Sequence, residues 1–116
     1  MGPVNAPVLV LTTLPADADQ RTFATALVNE RLAACVNVLP EMMSVYRWEG
    51  QVERSTECQV FIKTTTDRLP ELRERVRSLH QYEVPEFIVL TIIDGSEPYL
   101  RWVEESTRIG QTPESA

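Results

Sequence analysis

A chain of 116 residues makes one domain, long enough to bury roughly 65% of the surface its unfolded form exposes, so its core needs no disulfide or metal staple. A net charge of −6 with scattered Lys and Arg excludes nucleic acid and membrane surfaces as partners, because both need a concentrated basic patch. Cys35 and Cys58 match neither a secreted disulfide framework nor a CxxC motif, and the first apolar run, Val8 to Leu11, is too short for a signal segment or a bilayer span; reduced thiols and a cytoplasmic location are expected.

Pro7 to Thr13 reads as a strand closed by Leu14-Pro15. Asp17-Ala18-Asp19-Gln20 then has the spacing of an N-cap with a glutamine three residues on, so a helix is expected from about Ala18 to about Ala33, with Phe23, Ala26 and Leu27 on its apolar stripe. Cys35 to Val38 is a strand. Pro40 cannot donate to a ladder, so it bends or bulges that strand or marks an edge, and Met42 to Trp48 resumes it. Glu49-Gly50 is a two-residue turn, and Gln51 to Thr65 returns with apolar even positions Val52, Cys58, Val60 and Ile62. Asp67 is expected to cap the next helix, with Pro70 in its first turn, Leu69, Leu72, Val76 and Leu79 at helical spacing, and Glu71 paired with Arg75. Glu86 to Ile93 is the last strand, and Ser96 caps a helix carrying Tyr99, Leu100, Trp102 and Val103.

The order β-α-β-β-α-β defines an α+β, ferredoxin-like βαββαβ sandwich with an extended β-hairpin and a C-terminal helix. One domain spans residues 7–109, between flexible tails at 1–6 and 110–116. Right-handed crossovers put both long helices on one face of the sheet, yet the first and last strands are apolar on both parities: Val8 and Val10 against Leu9 and Leu11, Val89 and Ile93 against Ile88 and Leu90. Leaving a few hundred Å2 of that surface wet costs several kcal/mol at roughly 25 cal/mol per Å2. The C-terminal helix covers part of it at most, so the sheets of several subunits are expected to pack together.

The turn fixes a register in which Trp48 faces Gln51, Tyr46 faces Glu53, Ser44 faces Ser55 and Met42 faces Glu57, all on one face. This aromatic and acidic surface reads either as a subunit contact or as the wall of a ligand pocket. His80, the only histidine, ends the second helix, where the helix dipole favours an imidazolium. As a metal ligand it needs partners, and Cys35, Glu83, Glu86, Met42 and Met43 are the candidates, a soft-leaning set that suits copper better than magnesium. Catalysis would pair Cys35 with His80, or use Glu57 as base beside Lys63. No nucleophile elbow, P-loop, GxGxxG or HExxH accompanies them, so the chain reads as a binding protein and not an enzyme.

The strings RLAACVNVLP, SVYRWEGQVE, Glu57 with IKT at 62–64, HQYEVPE, and Tyr99-Leu100-Arg101-Trp102 together resemble the CutA family of divalent-cation tolerance proteins, from about Val8 to Val103. The resemblance implies a ferredoxin-like homotrimer packed around a threefold axis, a role in tolerance of copper and other divalent cations, and a shape similar to the PII signalling trimers. It also implies clefts between subunits lined by Cys35, Ser44, Tyr46, Trp48, Glu57, Lys63, His80, Tyr82 and Glu86. Of these, His80 and Cys35 are the metal-ligand candidates, and Tyr46, Trp48, Glu57, Lys63, Tyr82 and Glu86 the ligand-cleft candidates. The expected cofactor is copper or another divalent cation, and the alternative occupant is a small anionic metabolite held with Lys63. Gln81 and Thr91 stand where the family has proline, and Thr12 and Leu79 stand where some copper-binding members have cysteine and a second histidine.

Overall fold

The computed structural model describes residues 5–109. Four strands form one antiparallel sheet: β1 (Pro7–Pro15), β2 (Cys35–Trp48), β3 (Gln51–Thr65) and β4 (Ile88–Thr91), in the order β2-β3-β1-β4. Helices α1 (Gln20–Asn29) and α2 (Leu69–Leu79) cover one face, and α3 (Glu97–Thr107) follows β4. This is the expected α+β, ferredoxin-like arrangement. The expected tails lie outside the described residues, apart from Asn5 and Ala6. Those two are bonded to the start of the α2 segment: Ala6 exchanges bonds with Thr66, and the Asn5 Oδ1 accepts from the Asp67 amide.

Period-two alternation builds the core. Val8, Val10 and Leu14 of β1 and Cys58, Val60 and Ile62 of β3 are buried on the same face, where Val10, Leu14, Val60 and Ile62 pack with Phe23 and Leu27 of α1 and Leu72 and Val76 of α2. These helices are anchored differently from the sequence expectation. Asp19, not Asp17, caps α1: its carboxylate accepts from the amide and hydroxyl of Thr22, which hold it below the usual carboxylate range. The helix stops at Asn29 because Arg31 turns into the left-handed region, φ 59°, sending Leu32 to Ala34 into the core as loop.

Asp67 lies in a 3-10 turn ahead of α2 and accepts from the Thr65 hydroxyl, so it does not cap the helix. Pro70 does sit in the first turn. Arg75 reaches across to Glu30 of the α1 C-terminus, while Glu71 pairs with Arg68; the expected i,i+4 pair is replaced by a tertiary one. Ser96 occupies the N-cap position of α3 without a side-chain bond.

The expected hairpin register holds from Met42↔Glu57 to Trp48↔Gln51. Glu49 and Gly50 both take positive φ, 51° and 80°, the tight-turn geometry whose twist matches paired strands. Between Val38 and Glu41 the register shifts, so Leu39 and Pro40 form a bulge on the sheet's edge strand. One extra residue exchanges the parities of β2. Before the bulge Cys35 and Asn37 share the face of Lys63 and Phe61; after it Met42, Ser44, Tyr46 and Trp48 share the face of Glu57.

That face is the second face of the sheet, opposite α1 and α2. At one end α3 lies on it, with the Thr107 hydroxyl 3.1 Å from that of Thr65 and the Lys63 ammonium 5.5 Å from the Tyr99 ring centroid. Beyond α3 it stays open: Ile88 is 45% and Leu90 42% exposed beside half-buried Leu9, Leu11 and Phe61. β4 is shorter than expected at both ends, its pairing with β1 running only from Ile88↔Leu11 to Thr91↔Val8, while Phe87 packs on the core beneath the Arg73 guanidinium.

Candidate functional site

Where β4 stops pairing, at Ile88↔Leu11, side chains meet the next carbonyls of β1. Gln59 Nε2 donates to the Thr12 carbonyl at 2.8 Å and to Glu86 Oε2 at 2.9 Å. His80 Nε2 lies 2.5 Å from the Thr13 carbonyl. Between His80 and Glu86 the connector from α2 bends back over the second face, and the Tyr82 hydroxyl donates to Glu57 Oε2 at 2.7 Å. Three attachments, made by His80 on β1 and by Tyr82 and Glu86 on β3, thus fix residues 80–86 across the sheet.

Under it runs a cleft of about 750 Å3 lined by Thr13, Met42, Ser44, Tyr46, Trp48, Glu57, Gln59 and residues 81–86, a size usual for small-molecule sites. Its walls come from two sources that the bulge brings to one face, the hairpin aromatics and the connector. The Ser55 hydroxyl lies 3.3 Å from that of Tyr46 and also faces Tyr82, joining the two tyrosines to Glu57. Burial, then the Glu57 carboxylate, pushes the Tyr82 phenol well above its usual range. Glu57 is 7% exposed, and among the described residues this neutral phenol is its one hydrogen-bond donor.

Five of the six ligand-cleft candidates, Tyr46, Trp48, Glu57, Tyr82 and Glu86, line this space. Lys63 does not; it stands under Tyr99, four residues along β3 from Gln59. Cys35 pairs with Lys63, whereas His80 binds at Thr13, opposite Gln59. At about 3.3 Å per residue this separates Cys35 from His80 by roughly 13 Å along the sheet, too far to share one metal or act as nucleophile and base within a chain. Met43 lies on the other face of the hairpin. Among the described residues no group of three His, Cys, Asp or Glu could hold a metal ion.

The His80 bonds also settle its tautomer. The Tyr82 amide donates to Nδ1 at 3.1 Å, which requires a lone pair there, and the Thr13 carbonyl only accepts, so the proton sits on Nε2. Neither nitrogen is left over for a metal unless one of these bonds is broken.

Gln59 and Thr13 were not singled out by the sequence, where Gln59 is one polar position in an alternating strand. No signal marked it: Lys63 and Glu57 already give the same face of β3 polar side chains, so one more glutamine there is ordinary. Gln81 lines the cleft, Leu79 packs against the core, Thr91 ends β4, and Thr12 is fully buried with its hydroxyl unbonded among the described residues.

Comparison with known proteins is consistent along the whole domain. Residues 8–106 match the family model described as CutA1 divalent ion tolerance protein. The divalent-cation tolerance protein CutA of Thermus thermophilus is 50% identical over 99 residues, 85% of this chain and 96% of the relative. CutA of Mus musculus is 44% identical over 95 residues, 82% of this chain but 54% of its own length; the chain spans about half of such longer relatives. Among solved structures, the divalent cation tolerance protein from Thermus thermophilus superposes with a TM-score of 0.84 at 48% identity, covering 88% of this chain and 99% of that one. CutA1 from Oryza sativa gives 0.85 at 40% identity, covering 90% and 96%. No helix among the described residues is long and apolar enough to cross a membrane.

Proposed function

The chain belongs to the CutA1 family of divalent ion tolerance proteins, and on that premise we propose that it supports tolerance to divalent cations, copper among them, as a cytoplasmic homotrimer that responds to a ligand held in the Trp48–Glu57 cleft. The observation that supports this reading is the pairing of a buried carboxylate, Glu57, with aromatic walls on the same face as the uncovered apolar surface of Ile88 and Leu90. Packing neighbouring copies on that surface hides its aliphatic area and closes the cleft from the side.

Storage of metal in a His80–Cys35 chelate is the weaker route. Within one chain the two lie far apart along the sheet, and freeing His80 costs hydrogen bonds of about 1 kcal/mol each. A PII-like sensor of an anionic metabolite asks for Lys63 at the ligand. With Lys63 under Tyr99 and carboxylates lining the cleft, a positively charged occupant is favoured.

The test is growth of cells lacking this protein under copper challenge, complemented with variants. Wild type and Cys35→Ala should restore tolerance, while Trp48→Leu and Glu57→Gln should not. Full restoration by both cleft variants, with loss in Cys35→Ala, would overturn the reading in favour of chelation.

A further inference from the structure

We propose that the cleft takes a small organic cation of the alkylammonium or guanidinium kind, carrying two or more positive charges along an extended chain; this rests on the reading of the cleft as the protein's ligand site. Charge is the first ground. Among the described residues, the lining contributed by one chain includes three carboxylates, Glu57, Glu83 and Glu86, and no Lys, Arg or His. Cations that could have compensated them are engaged elsewhere: Lys63 lies under Tyr99, Arg73 on Phe87, and Arg47 reaches the Gly50 carbonyl. A carboxylate as buried as Glu57, bonded only to a neutral phenol among the described residues, is a charge waiting for a counter-charge.

The aromatic rings are the second ground. Tyr46, Trp48 and Tyr82 present three π systems to the same space, and their negative faces attract cations, most strongly where water is excluded. In the single chain Trp48 is 43% exposed beside the cleft. The third ground separates an organic cation from a bare metal ion. A divalent metal needs oxygen ligands converging at roughly 2.0 to 2.6 Å, whereas these carboxylates do not converge. One oxygen of Glu57 is also held by Tyr82 and one of Glu86 by Gln59. Negative charges spread along an aromatic groove match positive charges spread along a flexible chain.

The experiment uses the full chain with Trp102→Phe, which leaves Trp48 as the reporter, and titrates spermidine at fixed ionic strength by fluorescence and calorimetry, with succinate as the anionic control. The expected result is saturable spermidine binding with a change in Trp48 emission, weakened tenfold or more by Glu57→Gln and, in calorimetry, by Trp48→Leu, and no binding of succinate. Trp48→Leu changes an exposed hairpin residue and keeps the test decisive should Glu57→Gln fail to fold. Absence of saturable binding, equal affinity in the folded variants, or preference for succinate overturns the proposal. If spermidine fails to bind while the cleft variants still abolish copper tolerance, the ligand class is wrong and the functional reading stands; if tolerance is also untouched, both fall.

Discussion

The Tyr82 hydroxyl donates to Glu57 Oε2 at 2.7 Å, joining positions 25 residues apart and tying the connector to the base of the hairpin. Each partner solves the other's problem. Glu57 gains a donor for a carboxylate oxygen that has little access to water, and the phenol gains an acceptor strong enough to keep its proton.

The expected consequence is a pH-dependent stability. The folded-state pKa of Tyr82 is raised above its unfolded value near 10, so its contribution is fully present below about pH 10 and is lost as pH climbs above that. Urea midpoints measured from pH 8 to pH 12 should fall at the alkaline end, and the fall should be smaller in Tyr82→Phe. That variant should also lose about 1 to 3 kcal/mol at pH 7, because it leaves Glu57 without its donor.

Replacing Thr12 should stabilise the fold. Its hydroxyl is buried in the core face of β1 without a hydrogen-bond partner among the described residues, and valine has nearly the same shape without the polar atom. Thr12→Val is expected to gain about 1 kcal/mol in urea unfolding. A loss of stability would mean the hydroxyl is satisfied by bound water.

His80 acts here as a fastener. His80→Ala removes the bond to the Thr13 carbonyl and the acceptor for the Tyr82 amide. Hydrogen exchange at the Tyr82 amide should therefore accelerate while exchange in the core of β3 is unchanged. Unchanged protection at Tyr82 would show that the Tyr82–Glu57 and Glu86–Gln59 bonds hold the connector alone.

The bulge absorbs one residue between two stretches of fixed register. Deleting Pro40 should leave Leu39 opposite Gln59 and keep both Val38↔Val60 and Glu41↔Cys58, so Tyr46 and Trp48 should stay on the Glu57 face. In a Trp102→Phe background, Trp48 emission should be unshifted with strand content retained by circular dichroism; a shift to longer wavelength would show that the hairpin had slipped in register.

Much of this was legible in the residues. The hairpin register followed from Glu49-Gly50, and the uncovered second face from apolar residues on both parities of β1 and β4. Pro40 announced an irregularity, but the size of the register shift was not readable, since one or two extra residues look alike in sequence. Helix starts were misread where two acidic residues competed: Asp17 and Asp19 both offer caps, and only the fold shows that Thr22 closes on Asp19. Glu71 and Arg75 had helical spacing, but each found a better partner outside that pair. The clustering of Cys35, Lys63 and His80 in one cleft came from the family resemblance, and in a single chain the four residues separating Lys63 from Gln59 along β3 keep them apart. Gln59 was invisible because its partners, the Thr12 carbonyl and Glu86, are adjacent only after β4 has docked.

Assembly follows from the same uncovered face. Sedimentation velocity at micromolar concentration is expected to show a single trimeric species, and Leu90→Glu, placed on the exposed patch, to shift it toward monomer. A wild-type protein that sediments as a monomer would leave Ile88 and Leu90 without a partner copy.

A crystal structure of the protein grown with spermidine would show the occupant of the cleft. Density for the amine is expected along the rings of Tyr46 and Trp48, with a nitrogen in hydrogen-bond reach of the Glu57 carboxylate. A cleft filled by a side chain of a neighbouring copy, or an amine bound only elsewhere on the surface, would contradict this expectation.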